Sequence, residues 1–419
     1  MKSYRIEVTV SLPSVQETKM QFSADTTIKE LKTAICEKFK LESDYTNLIV
    51  EGTVLDAENT VGNLDLQNKK IVVDYLWARH LLLWNSQQQS RIRDSTVLIA
   101  GAGALGNEVA KNLAMMGVKR LVIVDYDVVE VSNVSRMFLF GIDDVGKPKA
   151  EVLGAQIVQK YPFVEATAYK CILERLPLDV FLNSDVIISG LDNIASRIFL
   201  AAIAVKYQIP MVDGGTMRGY ETRVQVYIPT DTACPACNLP ADQYARLVNL
   251  KNPCDPKIEE GKTPSVVTAN SYTASIQAQE TVKIIMGREE FNHLGKWPQN
   301  IGQPLQGILI ADLKFNKYST IQLKKNPRCL VCGEKGMAKP VKKLALRFEE
   351  IGNSTSNLYD LAEHLIGTTP QLYTIANTSP TKIPQGQGLS ELGIHKGSHI
   401  IAITSPTESD FTETLLKIS

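Results

Sequence analysis

Three kinds of apolar spacing alternate along the chain, and each change of spacing marks a change of element. YRIEVTV and TKMQFSA, near the start, carry apolar residues at every second position and predict two strands. Ile28, Leu31 and Ile35 then recur on one face of a helix opened by Thr26 or Thr27. LIVEGTVLDAENTVGNLDLQNKKIVVDY places strands at both ends with turn residues between, so residues 1 to about 76 read ββαββ, a β-grasp. From about residue 341 the same logic returns in KLALRFEEI, a helix around NLYDLAEHLIG, QLYTIA and GLSELGIHKGSHIIAIT, with GEKGMAKP as the linker ahead of it.

Between these modules the period lengthens. TVLIAGAGALGNEVAKNLAMMGVKRLVIVDYD runs from an apolar strand through Gly101, Gly103 and Gly106 into a helix whose Val109, Leu113 and Met116 share a buried face. A second strand ends at Asp125. This βαβ pattern predicts a Rossmann-like domain with a mostly parallel sheet, an α/β core flanked by two small α+β modules. The glycines allow a tight turn and close approach of backbone to phosphate, the helix start offers free N–H donors, and Asp125 can take ribose hydroxyls. The motif alone serves a redox dinucleotide and ATP equally.

Composition narrows the partners. The 419 residues balance 45 Lys and Arg against 45 Asp and Glu, so the whole chain carries no electrostatic footprint for nucleic acid or an anionic membrane. No apolar run approaches the roughly 20 residues that span a bilayer, and Glu7 interrupts a signal-peptide reading of MKSYRIEVTV; a cytoplasmic protein is expected. Four of the seven cysteines form two CxxC pairs, Cys234 with Cys237 and Cys329 with Cys332. Together they can supply four thiolates to a tetrahedral Zn²⁺, a closed site that clamps distant segments and leaves no position for catalysis. Cys36 and Cys171 fall in apolar patterns and read as core.

Further along, Asn133, Arg136 and Lys149 follow the βαβ unit, and SDVIISGLDNIASR ends an apolar strand with Asp192 and Asn193. Cations there suit the charge that develops on a leaving pyrophosphate, and a carboxylate at a strand's C-terminal edge suits Mg²⁺. Taken singly, Arg136 and Lys149 could be solvated and Asp192 could cap the next helix. None of the five histidines sits in a recognisable hydride-transfer site.

GAGALG, DYDVVEVSNVSR, VGKPKAE, GLDN, VDGGTMRGYETRV, CPAC and KKNPRCLVCG stand in the order found in the ubiquitin-like-protein activating enzymes and the adenylyltransferases of molybdopterin and thiamine biosynthesis. The chain resembles that superfamily over roughly residues 77 to 333. The resemblance implies ATP as the nucleotide, Asp125 on the ribose, Asn133, Arg136 and Lys149 on the phosphates, and Asp192 on Mg²⁺. It also implies an adenylate formed on the C-terminal glycine of a carrier ending in Gly-Gly. WARHLLLWNSQQQSRIRDS resembles the family segment whose arginine reaches the partner subunit's ATP site, which places Arg79 in trans in a homodimer; His80 follows it where the family usually has glutamine.

The N-terminal module resembles ubiquitin, but VVDYLWARH runs on without a Gly-Gly terminus, so this copy is no carrier as encoded. The C-terminal module resembles the ubiquitin-fold domain with which activating enzymes recruit a conjugating enzyme. Cys254 lies in a Pro-, Asp-, Lys- and Gly-rich crossing loop at about 238–265, where short activating enzymes place the cysteine that accepts the carrier as a thioester. Its PCDPKI context departs from the usual cysteine-threonine pair, and Asp255 would raise the thiol pKa. Two alternatives stand beside this reading: an adenylyltransferase of a sulfur carrier that stops at the acyl adenylate, and a non-catalytic scaffold with two docking domains.

Overall fold

The computed structural model describes residues 5–13, 17–217, 219–239, 264–375, 380–407 and 410–419. The chain divides into two compact units, Met1–Asp94 with Ile285–Gln303, and Ser95–Ile284 with Pro304–Ser419.

The first unit is built on β1 (Arg5–Ser11), β2 (Thr18–Ser23), α1 (Ile28–Phe39), β3 (Thr46–Val50), β4 (Thr53–Val54) and β5 (Lys70–Tyr75). The sheet order β2-β1-β5-β3-β4, with β1 and β5 parallel, is the expected β-grasp. Thr27 is the residue that starts α1: its hydroxyl accepts the Glu30 N–H while the Glu30 carboxylate accepts the Thr27 N–H, a reciprocal cap. Ile28, Leu31 and Ile35 are buried beneath the sheet, as their spacing requires. After β5 the chain forms a 3₁₀ turn (His80–Leu82) and α2 (Ser86–Asp94).

The second unit carries β6 (Thr96–Ala100), α3 (Ala104–Met116), β7 (Arg120–Val124), α4 (Lys149–Lys160), β8 (Glu165–Tyr169), α5 (Leu178–Leu182), β9 (Val186–Ser189), α6 (Ile194–Lys206), β10 (Met211–Met217) and β11 (Glu221–Tyr227). The long α7 (Val267–Leu294) follows, its residues up to Ile284 in this unit and the rest in the first, and then the hairpin of β12 (Gly307–Asp312) and β13 (Lys317–Gln322). Its eight strands run β13-β12-β11-β10-β9-β6-β7-β8; the last five in that order, β10 to β8, pair in parallel, and β10 to β13 pair antiparallel. β6, β9 and β7 are buried almost throughout, which explains why they read as continuous apolar runs. The order turns back beside β6, so β6 and β9 flank the switch point at which open α/β sheets bind ligands beyond their strand ends.

The C-terminal module completes the second unit with β14 (Lys342–Leu346), α8 (Phe348–Ile351), α9 (Thr355–Ile366), β15 (Gln371–Thr374), β16 (Thr381–Lys382), β17 (His399–Thr407) and β18 (Asp410–Ile418), in the order β14-β18-β17-β15-β16. Its first and last strands pair in parallel as in the N-terminal module, but a single strand precedes the helices, β14 lies at the sheet edge, and β17 and β18 form an antiparallel hairpin, so the strand order departs from the expected β-grasp. Ile400, Ala402 and Leu416 face Leu358 and Ala362 of α9. The alternate positions Ile401, Leu415 and Ile375 join a second apolar cluster with Leu200, Ala204 and the cysteine segments, so both sheet faces are covered. Lys206, at the end of α6, pairs with Glu413 at 2.7 Å, and the Val341 N–H donates to the Lys206 carbonyl at 2.9 Å. The stretch expected to be a linker is therefore fixed. Met337 and Ala338 donate backbone N–H groups to the carbonyls of Leu330 and Val331, folding 330–338 onto the second CxxC.

His399 carries a testable consequence. It is buried on β17 with Nδ1 unpartnered, and burial, then Lys417 and Lys343, push its pKa down to about 4 from 6.5. Below 6.5 the unfolded chain takes up a proton that the folded chain refuses, so stability falls as pH drops from 6.5 to 4. The loss is on the order of 3 kcal/mol. In urea unfolding at pH 7 and pH 4.5, His399→Phe is expected to lose less stability on acidification than the parent; equal losses would refute the assignment.

Candidate functional site

The glycine loop joins β6 to α3, and each glycine has its own reason. Gly101 has φ +96°, which a side chain disfavours, and a Cβ on Gly106 would lie 1.9 Å from the Gly101 carbonyl oxygen. A Cβ on Gly103 would meet no protein atom within 4 Å. The chain's own packing demands the first and third glycines and not the second. Gly103 is the N-cap of α3 and offers no side-chain cap, so the first amides of the helix keep their donors at the loop.

Asp125 follows β7 and binds this loop. Its Oδ2 accepts the Ala102 N–H at 2.7 Å and its Oδ1 accepts the Asp127 N–H at 2.8 Å. Burial pushes its carboxyl above the ordinary range, opposed by the nearby Lys149 ammonium and the two amide donors. Lys149 opens α4, is itself buried, and places Nζ 2.8 Å from Asp127 Oδ2. Asp125, Asp127, Lys149 and the glycine loop thus form one connected cluster at the C-terminal ends of β6 and β7.

Asn133 and Arg136 sit on the segment between β7 and α4. Asn133 is buried and its Oδ1 accepts the Glu130 N–H at 2.9 Å, so its acceptor serves the local turn and its amide donors remain for other use. The half-buried Arg136 donates from Nη1 to the Ser132 carbonyl. This segment is tied to α3 by Asn107, whose buried Oδ1 accepts the Leu139 N–H at 2.8 Å. Past β9, Asp192 is exposed, and it is Asn193 that caps α6 by accepting the Ser196 N–H at 2.7 Å. The capping alternative for Asp192 is thereby assigned to its neighbour.

Sequence reading missed a trio beside this edge. Asp213 on β10, 1% exposed, is gripped by the guanidinium groups of Arg197 and Arg223, and Arg197 also donates to the Leu191 carbonyl. Two guanidinium groups on one carboxylate leave one net positive charge next to Asp192. The available signal was the acid inside MVDGG, since a carboxylate in a buried strand needs cationic partners.

The four paired cysteines converge. Cys234 and Cys237 start and enter a 3₁₀ turn (Pro235–Asn238), and their sulfurs lie 3.7 and 3.4 Å from those of Cys329 and Cys332 respectively. Cys234 and Cys237 are themselves 3.8 Å apart, and all four Sγ atoms fall within 4.8 Å of one another. A tetrahedron with Zn–S arms of about 2.3 Å has edges of about 3.8 Å, so the thiols fit a divalent metal. Cys36 is buried as expected, whereas Cys171 is half-buried just beyond β8; burial pushes both thiols up. Arg79 belongs to the first unit, where it is exposed and precedes the 3₁₀ turn. Cys254 lies outside the described residues. Among the described residues, no helix is long and apolar enough to cross a membrane.

Comparison with known proteins agrees with this geometry. Residues 8–76 match the ubiquitin family. The NEDD8-activating enzyme E1 catalytic subunit of Saccharomyces cerevisiae is 41% identical over 155 residues, 35% of this chain and 52% of that protein. The chain spans only about a third to a half of the length of the NEDD8-activating subunits it matches. The SAMP-activating enzyme E1 of Haloferax volcanii is 29% identical, covering 62% of this chain and 89% of that one. The sulfur carrier protein adenylyltransferase of Thermus thermophilus is 30% identical, covering 59% and 85%. In fold, a crystal structure of E. coli MccB with SeMet MccA superposes with a TM-score of 0.51 at 21% identity, over 62% of this chain and 75% of that one. Residues 77–331, more than half of the chain, match the ThiF family, and the chain belongs to it.

Proposed function

We propose that this chain activates a ubiquitin-like carrier that ends in Gly-Gly. A C-terminal glycine carboxylate oxygen attacks the α-phosphorus of ATP, the bond to the bridging oxygen of the β-phosphate breaks, and pyrophosphate leaves. The observation that carries this reading is the connected cluster of half-buried Asp125 and Asp127 with buried Lys149 around a glycine loop whose Gly103 has no steric reason within the chain to be glycine. A side chain there would occupy the space through which a phosphate approaches the backbone.

Within that scheme Asp125 positions the ribose, while Lys149, Arg136 and the Asn133 amide hold phosphate oxygens as negative charge shifts toward the pyrophosphate. The exposed Asp192 carboxylate is the ligand for Mg²⁺, which supplies charge neutralisation on the phosphates. Arg79 reaches the site of a second copy in a homodimer. A guanidinium matches phosphate geometry better than an ammonium. The four cysteines hold Zn²⁺ in a structural role, consistent with their separations.

In a second step the Cys254 thiolate attacks the acyl carbon and AMP leaves, storing the carrier as a thioester for a conjugating enzyme. With Cys254→Ala, a reductant-sensitive carrier adduct is expected to disappear on a gel while carrier-dependent pyrophosphate exchange persists. An adduct that survives in the variant would exclude Cys254. The second reading, adenylation without a thioester and delivery of the carrier to a sulfur donor, is favoured by the likeness to the Thermus adenylyltransferase; its signature is exchange with no adduct even in the parent chain.

A further inference from the structure

The fused N-terminal β-grasp domain is welded to the segment that bears Arg79. β5 ends at Tyr75, and the chain continues through Leu76, whose N–H donates to the Tyr45 carbonyl at 3.0 Å. Turns then follow without a break: Ala78 N–H to Tyr75 O, His80 N–H to Trp77 O and Leu83 N–H to His80 O. Trp77 is 2% exposed and meets Tyr45 and Tyr75 edge-on, at ring distances of 5.9 and 5.6 Å. The Arg93 guanidinium, from α2, lies 4.9 Å over the Trp77 ring and donates from Nε to Glu42 at 3.0 Å. The other Glu42 oxygen accepts the Tyr75 hydroxyl. Trp84 closes the far end by donating to Gln89 of α2 at 2.9 Å.

Arg79 thus stands exposed between two buried anchors, Trp77 and Leu81, both seated in the first unit. We infer that the N-terminal ubiquitin-like domain is the mount that sets the position of Arg79, and that Glu42 and Arg93 are its positioning residues. An exposed arginine carries about 2 kcal/mol of rotamer entropy, and a fixed backbone at its base limits what must be lost when it engages a phosphate. The carboxylate of Glu42 holds Arg93 over Trp77 by a charge-assisted hydrogen bond, stronger than a neutral one. The inference rests on the proposed role of Arg79 in trans, and the test separates the two.

In the full-length chain, MgATP affinity is measured by calorimetry for Arg79→Ala, Glu42→Gln and the double variant, with hydrogen exchange of residues 76–84 followed in each. Arg79→Ala is expected to weaken MgATP about tenfold. Glu42→Gln should weaken it three- to tenfold and speed exchange in 76–84, leaving exchange in β6 and α3 unchanged, while the double variant is no weaker than Arg79→Ala. Multiplying losses in the double variant would overturn the inference, as would unchanged exchange in 76–84. If Arg79→Ala binds MgATP like the parent, the trans role of Arg79 fails and the mount with it, even where the exchange data show the segment held. Should Glu42→Gln not fold, Arg93→Lys keeps the charge and loses the planar stack, and the same outcomes apply.

Discussion

Lys149→Ala is expected to lower carrier-dependent pyrophosphate exchange by about 10²–10³-fold, the loss typical when one preorganised charge donor is removed from a developing negative charge. The residue is not a surface lysine that happens to lie nearby. It is buried at the first turn of α4, and its ammonium is held 2.8 Å from Asp127, whose own N–H is bound by Asp125. Deleting it leaves the Asp125 carboxyl buried without its main cationic neighbour, which favours the protonated acid. The variant should therefore lose nucleotide affinity as well as rate, with stability reduced by no more than roughly 1–2 kcal/mol because a carboxylic acid can still accept the Ala102 amide. Exchange within tenfold of the parent at saturating ATP would remove Lys149 from the phosphate site. A companion variant, Lys149→Arg, keeps the charge and should recover part of the rate.

Cys234→Ser is expected to produce the largest loss of stability, more than about 4 kcal/mol, because it removes a ligand from the proposed zinc site and places a hydroxyl in an apolar cluster. Cys234 is fully buried, and the same cluster contains Val331, Ile401 and Leu415. Loss of the proposed metal should therefore loosen the 330–338 fold and the docking of the C-terminal sheet together. Zinc content measured by atomic absorption and melting measured by calorimetry decide the matter. A parent chain that contains no zinc, or a variant that melts with it, would refute the metal role.

The sequence made some of this legible for a simple reason: local patterns specify local structure. Thr27 and Glu30 lie three residues apart, and the alternation in YRIEVTV or the helical spacing of Val109 and Leu113 needs no partner to be recognised. The two CxxC pairs were readable because zinc ligands have a short internal spacing, although 95 residues separate the pairs that meet. Pairings between distant single residues left no such trace. Glu42 meets Arg93 across 51 residues, and Asp213 recruits Arg197 and Arg223 from two different elements. That the linker at 333–340 is held in place was not readable, because polar and glycine-rich composition says nothing about backbone amides that find acceptors elsewhere. One hint was present: the run of Ile400, Ile401, Ala402 and Ile403 does not alternate, which is the mark of a strand enclosed on both sides.

α6 begins at the cap formed by Asn193, next to Asp192, and ends at Lys206, which is paired to Glu413 of the C-terminal sheet. Thirteen helical residues make a rod about 20 Å long. A stiff rod has a single tilt, so a displacement of the loop at its head is geometrically a displacement of the module clamped to its foot. Within the second unit, the Asp192 loop and the C-terminal module are two ends of one lever.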